Sequence, residues 1–242
     1  MAFRARLLVL VLLVLVLAAG SAAGVGVTFC YFLPRGGSFS HPVSPLSLQD
    51  VGLTFGRYFG VAGSLSLYTF SGMGLTEADG TPLELGAPAV GPFASILGSL
   101  VGKLILPIKI REVVRFELVG KGGVFGCLNF DPPLITRTVE DYLAGSTYEA
   151  LTAAFEADGR WGWGWVFGGS ATWYLTSQLG VTVGALYYLG GAELRLSGSY
   201  DAYDADLGAG GYVENAPLPE TLEGARLDFS GLELQVGFSL QL

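Results

Sequence analysis

The sequence contains little charge, one histidine and two cysteines, and each scarcity excludes a class of protein. Charged residues form 14% of its 242 residues, whereas soluble domains carry about 25%, so the surface is not that of an ordinary soluble protein. One histidine and two cysteines argue against a zinc site. A net charge of −8 excludes the basic surface that nucleic-acid binding requires. After the N-terminus, no uncharged apolar run reaches the roughly 18 residues of a membrane-spanning helix.

What is abundant is apolar residues and glycine. Hydrophobic residues make up 51% of the chain, glycines number 37, and the mean hydropathy is +0.52. A chain this apolar without helical spans favours β-sheet that faces lipid.

The first 23 residues have the layout of a secretory signal peptide. Arg4 and Arg6 precede an apolar segment, residues 7–17, and Ser21 and Ala23 occupy the −3 and −1 positions of a cleavage site. An uncleaved anchor is the alternative. The mature domain, 24–242, is therefore expected outside the cytoplasm.

Apolar and polar residues alternate through the mature chain, which is the period of a β-strand with two different faces. The clearest case is the C-terminus, where apolar residues at 232, 234, 236, 238, 240 and 242 alternate with Gly or polar residues. The pattern predicts eight strands, at 25–33, 48–58, 60–71, 93–106, 113–130, 159–176, 180–200 and 226–242. Residues 93–106 also fit a helical spacing, and the even strand count favours a strand there. A phase slip at Gly190–Gly191 predicts a bulge.

Short and long connections alternate between these strands, and both termini fall on the side of the short turns. This is the arrangement of a closed antiparallel up-and-down transmembrane barrel, because lipid permits no open sheet edge. In the third long connection, Thr138 and Asp141 form a candidate helix cap. Val139, Tyr142, Leu143, Leu151 and Phe155 form an apolar stripe there, so a short helix is expected to cover the barrel mouth or to bind a partner.

The chain resembles the small eight-stranded outer-membrane barrels of the OmpA/OmpX type over nearly all of 24–242. The sharpest motif is the C-terminal assembly signal, carried by Gln235, Gly237, Leu240 and Leu242. It departs from the common form by ending in leucine in place of phenylalanine. The resemblance implies an outer-membrane location, contact with outer-membrane lipid and insertion by the barrel-assembly machinery. It implies no molecular activity.

Charged residues fall into two groups under this topology. Fifteen of the 21 Asp and Glu residues lie in the long connections, which predicts an acidic extracellular face. The polar strand faces carry four residues of each sign, which predicts a closed, salt-bridged lumen because an eight-stranded barrel leaves room only for side chains. These residues are Asp50, Lys103, Arg115, Glu117, Lys121, Glu193, Arg195 and Glu233. Trp161, Trp163 and Trp165 share one strand face and predict a girdle at the membrane interface.

Few residues point to chemistry, and we expect neither catalytic residues nor a cofactor. His41 stands beside Ser40 and Ser44, and a lipid-modifying enzyme based on this histidine is the least favoured alternative. Asp201, Asp204 and Asp206 do not have calcium-loop spacing. Cys30 and Cys127 fall on opposite strands and are expected to remain unpaired.

The interpretation is an outer-membrane barrel with a structural or surface-interaction role. Three alternatives stay open beside it: a narrow channel for small solutes, the enzyme, and a soluble barrel that holds a ligand. An extracellular or cell-surface ligand is also left open.

Overall fold

The computed structural model of the chain describes residues 24–35, 42–77, 79–110, 114–130, 132–144, 150–203, 212–217, 222 and 224–241. Within these residues the chain forms twelve strands and one helix. The strands are β1 (Gly24–Pro34), β2 (Val43–Phe55), β3 (Phe59–Phe70), β4 (Phe93–Ile110), β5 (Val114–Phe130), β6 (Ala150–Asp158), β7 (Trp161–Tyr174), β8 (Leu179–Glu193), β9 (Arg195–Tyr203), β10 (Tyr212–Pro217), β11 (Arg226–Asp228) and β12 (Gly231–Leu240). The helix is α1 (Thr136–Ala144). The predicted signal peptide and His41 lie outside the described residues.

Eight of these strands close into a barrel in the order β1, β2, β3, β4, β5, β7, β8, β12 and back to β1. Every neighbouring pair is antiparallel. The pairing of β1 with β12 runs from Val25↔Leu240 to Pro34↔Gly231 and seals the sheet. The closed eight-stranded barrel predicted from the alternation is confirmed.

The strand at 93–106 is also confirmed, as part of β4. It pairs with β3 from Phe93 to Leu104 and with β5 along nearly its whole length. Leu97 and Val101 are buried in the lumen, whereas Leu100 and Leu104 are 56% and 46% exposed on the outside. A spacing of four residues returns to the same face of a strand as well as of a helix, which is why the sequence pattern fitted both.

The loop end of the barrel carries additional structure. β6 continues into β7 and β9 continues from β8, so this hairpin extends beyond the barrel, and β10 adds a third strand to it. The short helix is confirmed as α1, with Val139 and Leu143 buried. The predicted stripe was wrong beyond residue 144, because Leu151 and Phe155 belong to β6. Thr138 is not the cap, since it lies inside α1 and its hydroxyl donates to the carbonyl of Pro88.

The bulge predicted at Gly190–Gly191 is absent. β7 and β8 pair without a register shift through Gly164↔Gly190 and Trp163↔Gly191. What changes there is the environment of each face. Leu194 points inward and is fully buried, whereas outward-facing Glu193 is exposed. The hairpin leaves the apolar belt at this level, so its outer face becomes polar while its inner face becomes apolar.

Within the described residues, no helix is long and apolar enough to cross a membrane.

Candidate functional site in the barrel lumen

The outer wall of the barrel is a belt of exposed apolar side chains. Members from opposite parts of the wall include Phe29 at 44%, Leu100 at 56% and Phe238 at 59% exposure. Their inward neighbours along the strands are mostly small or polar. The apolar face of the sheet is therefore outside, whereas in a soluble barrel it is inside. This exterior suits lipid, because burying it there removes apolar area from water.

An apolar core lies at the loop end of the barrel. Leu75 and Val90 from the second long connection, Val139 from α1 and Phe229 from the segment before β12 are each 0% exposed and belong to one cluster. The backbones of Met73 and Val90, and of Thr76 and Arg226, exchange hydrogen bonds. The helix therefore covers the mouth of the barrel, which is the first of the two roles considered for it.

Below this core, four aromatic side chains from four strands pack against one another inside the barrel. Tyr188 of β8 packs edge-on against Phe125 of β5 at 5.0 Å between ring centroids and against Phe32 of β1 at 5.9 Å. Phe32 in turn lies 6.0 Å from Tyr68 of β3. We call these four side chains the aromatic layer. Glycine makes room for it, since a Cβ at Gly164 would lie 2.6 Å from the Phe125 ring.

Glu233 lies fully buried against the aromatic layer and accepts hydrogen bonds from three neutral donors. Its Oε2 accepts from the hydroxyls of Tyr68 and Tyr188, and its Oε1 accepts from Gln235 Nε2 at 2.5 Å. The layer is thus joined to β12 by polar contacts as well as by packing. A buried carboxyl requires such partners, because an unpaired one is costly.

Asp50 lies deeper toward the short-turn end and contacts two lysines. Its Oδ2 accepts a hydrogen bond from Lys121 Nζ at 2.8 Å, and its Oδ1 lies 3.8 Å from Lys103 Nζ. A bulge in β2 between Leu48 and Val51 produces this arrangement. At the bulge Asp50 has φ 58°, a left-handed conformation that aspartate tolerates better than most residues.

A second ion pair lies at the short-turn end. Arg115 Nη2 lies 2.5 Å from Glu117 Oε1, and its Nη1 donates to Gln241 Oε1 at 3.0 Å. The hydroxyl of Tyr174 donates to the other oxygen of Glu117 at 2.9 Å, and the guanidinium lies 4.7 Å from the centre of the Tyr174 ring. These contacts join β5, β7 and the end of β12.

A cavity of ≈ 440 Å³, which we call the chamber, lies among these ion pairs toward the short-turn end. Its charged lining residues are Asp50, Arg57, Lys103, Arg115 and Glu117. Hydroxyl groups from Thr54, Ser170, Thr172 and Tyr174 also line it. The lumen is therefore divided into a polar lower half and an upper half filled by aromatic and apolar side chains.

The structure brings six of the eight predicted lumen charges inside the barrel and leaves two outside. Glu193 and Arg195 face each other at 4.0 Å with side chains that are 62% and 73% exposed. Their prediction as lumen residues was wrong, because they follow the outward face past the level where the hairpin leaves the apolar belt.

The other predicted residues occupy different surfaces. Trp163 and Trp165 are 64% and 58% exposed on the outer face of β7, near its loop end, and Trp161 is half-buried at the start of that strand. Their girdle role stays a prediction. In the assembly signal, Gln235 contacts Glu233, and a Cβ at Gly237 would lie 2.2 Å from the carbonyl oxygen of Val27. Leu240 is 42% exposed, and Leu242 lies outside the described residues.

Both cysteines are buried and free. Asp204 and Asp206 lie outside the described residues, so a cation site with Asp201 stays untested. Tyr68 and Tyr188 are the functional residues that the sequence interpretation missed. Tyr68 stood as an aromatic residue on an otherwise small and polar strand face, and that signal could have located it in the lumen.

Comparison with known proteins supplies a fold match. The structure is similar to the outer membrane protein OprG from Pseudomonas aeruginosa, with a TM-score of 0.54, 11% identity, and coverage of 91% of this chain and 97% of that chain. A major outer membrane protein from Thermus thermophilus matches with a TM-score of 0.36 and 15% identity over 90% of this chain and 98% of that chain. Ail, the attachment invasion locus protein of Yersinia pestis, matches with a TM-score of 0.33 and 9% identity over 90% and 95%. At those two TM-scores neither likeness carries an argument.

No protein-family model and no curated protein matches the chain. At 11% identity the likeness to OprG shows the fold alone. The apolar exterior is the surface expected of a barrel whose outer wall faces lipid. The chain forms a closed eight-stranded antiparallel barrel and shares this fold with the outer membrane protein OprG, so the fold class and the fold resemblance drawn from its sequence are confirmed.

Proposed function

We propose that this protein is a closed outer-membrane barrel with a structural or surface-interaction role. The observation that carries the proposal is the aromatic layer, held by Glu233 beneath the apolar core of the loop end. Packed interiors leave few voids as large as a water molecule, so a solute has no continuous path through such a layer.

The loop end is the surface available for contacts outside the cell, since long connections of outer-membrane barrels are extracellular. Exposed acids there come from several elements, among them Asp79, Glu84, Asp141, Glu156 and Glu214. Arg160, Arg195 and Arg226 also lie at this end, beside Arg35 and Arg137, so the face is less one-sided than the sequence indicated. The acids remain in excess, which favours a cationic partner surface or bridging cations.

The second candidate is a narrow channel for small solutes. The chamber favours it, because half of the lumen is already polar and open toward the short turns. The aromatic layer would then have to move to let a solute pass.

Planar-bilayer recording tests the two functions against each other. We expect no steady current from the purified protein. The triple variant Phe125→Ala/Tyr188→Ala/Phe229→Ala removes two rings of the aromatic layer and one ring of the apolar core above it. It should conduct, which shows that the assay detects an open lumen. Phe238→Ala, on the lipid-facing surface at 59% exposure, is the matched control and should stay silent. A stable, large current from the unaltered protein would overturn the closed barrel.

A further inference from the structure

The chamber carries more positive than negative charge. Arg57, Lys103 and Arg115 line it, whereas its acids are Asp50 and Glu117. Glu117 is matched by Arg115 in the 2.5 Å pair. Asp50 already accepts the hydrogen bond of Lys121, whose side chain is only 2% exposed.

Arg57 is exposed, so Lys103 is the shielded cation with the weakest compensation among the described chamber residues. Its ammonium lies 3.8 Å from Asp50 Oδ1, beyond hydrogen-bonding distance, while its side chain is only 10% exposed. A cation this well shielded from solvent gains more from an anionic partner than a surface lysine does, because the surrounding dielectric is lower.

The size and shape of the chamber suit a small ligand. Its ≈ 440 Å³ falls within the range of ligand pockets, about 300–1,000 Å³, and it combines apolar walls with a few convergent polar groups. The hydroxyls of Thr54 and Ser170 add donors around the cations. The aromatic layer closes its inner end, so a ligand would arrive from the periplasmic side, where the short turns lie.

We propose that the chamber is a binding site for a small oxyanion, a solute carrying phosphate or carboxylate groups, with Lys103 and Arg115 as its principal contacts. Guanidinium and ammonium groups form the strongest hydrogen bonds with such oxygens. Arg57, on the turn between β2 and β3, lies at the rim and attracts the anion on its approach. The direction of access rests on the closed lumen proposed above, but binding itself does not.

The test is titration of the folded full-length protein, in non-ionic detergent, with inorganic pyrophosphate at constant ionic strength. We expect saturable binding of one pyrophosphate per barrel. Lys103→Met should weaken it at least about tenfold, as expected for the loss of one charge-assisted contact. Lys103→Arg should restore it. Lys103→Met is expected to fold, because Asp50 keeps its closer partner Lys121.

Two further variants distinguish a specific binding site from non-specific attraction of an anion to cationic side chains. Asp50→Asn keeps a residue that tolerates the left-handed backbone and removes the competing carboxylate, so pyrophosphate should bind more tightly. Arg195→Met removes an exposed cation at the opposite end and should change nothing. Each variant is shown to be folded when its mobility in detergent gels still changes on boiling.

Absence of saturable binding, or equal loss in Lys103→Met and Arg195→Met, would overturn the proposal. Failure of the closed barrel would instead appear as current in the bilayer recording, so the two failures are distinguishable.

Discussion

Lys121 of β5 donates a 2.8 Å hydrogen bond to Asp50 of β2. In the barrel wall, β2 and β5 are separated by β3 and β4. The bond reaches across the lumen only because Asp50 occupies a bulge with φ 58° that turns its carboxylate toward the lysine. The side chain of Lys121 is 2% exposed, so it depends on this partner.

A double-mutant cycle measures this pair. Asp50→Asn or Lys121→Met alone should each lower the free energy of unfolding by about 3 kcal/mol. The first leaves buried Lys121 without its carboxylate, and the second leaves Asp50 with only the more distant Lys103. The double variant should lose less than the sum of the two, by at least about 1 kcal/mol. Urea unfolding in lipid vesicles, followed by tryptophan fluorescence, gives the four values. Simple additivity would show that the two side chains do not interact.

Glu233→Gln tests the polar support of the aromatic layer. The hydroxyls of Tyr68 and Tyr188 share one carboxylate oxygen, and Gln235 Nε2 donates to the other. Glutamine has only one acceptor oxygen, so it cannot accept from both the tyrosines and Gln235. We expect a loss of about 1–3 kcal/mol in the free energy of unfolding. Glu193→Gln, at an exposed acid, is the control and should have no measurable effect. Equal stability of the two variants would contradict the network.

Two residues of the C-terminal assembly signal are expected to act in different steps, one in closure of the barrel and the other in recognition by the assembly machinery. Gly237→Ala places a Cβ 2.2 Å from the Val27 carbonyl oxygen and should impair closure of β12 on β1 even in purified refolding. Gly120→Ala is the matched control, since a Cβ there meets nothing within 4 Å.

Leu240→Ala changes an outward side chain that is 42% exposed. It should refold normally when purified but reach the outer membrane of cells in lower amount, because only recognition by the assembly machinery is altered. Loss of purified refolding in Leu240→Ala would assign this residue a role in the fold instead.

The tryptophan girdle predicts the depth of individual rings. In variants that retain only one tryptophan, Trp163 should be quenched most by lipids brominated near the headgroup, because it lies near the loop end of β7. Phe replaces the other tryptophans in these variants. Strongest quenching of Trp163 by bromine at the acyl-chain end would place it in the middle of the bilayer and refute the girdle.

Acid should loosen the turn around Asp79 in the second long connection. The backbone N–H of Thr81 donates a 2.8 Å hydrogen bond to Asp79 Oδ1, which holds the pKa of this carboxyl below its usual value of 3.8. A lowered pKa means that the bond contributes above pH 3.8 and is lost as the pH falls through the lowered value. Hydrogen exchange at the Thr81 amide should accelerate there. Asp79→Asn should abolish that acid transition, and an unchanged transition in this variant would assign it to another group.

Alternation of residue type was enough to predict the barrel, its eight strands and the side of the short turns, because lipid imposes one outward face along every strand. It could not predict which charges pair. The Asp50 contact depends on a bulge between Leu48 and Val51 that no single glycine or proline marks. It also misplaced Glu193 and Arg195, because polar residues face inward within the membrane and outward above it. The end of α1 was missed for a similar reason, since Phe155 fits a helical stripe as well as the inner face of β6.

The central claim is a lumen that opens only toward the short turns, and the accessibility of Ser170 tests it most directly. Ser170 lines the chamber and is 9% exposed. In a background with Cys30→Ala and Cys127→Ala, Ser170→Cys should react with a small charged methanethiosulfonate reagent added to permeabilised cells. It should not react in intact cells of a strain that lacks general porins, where the reagent meets only the loop end. Equal labelling from both sides would show a continuous passage and contradict the closed barrel.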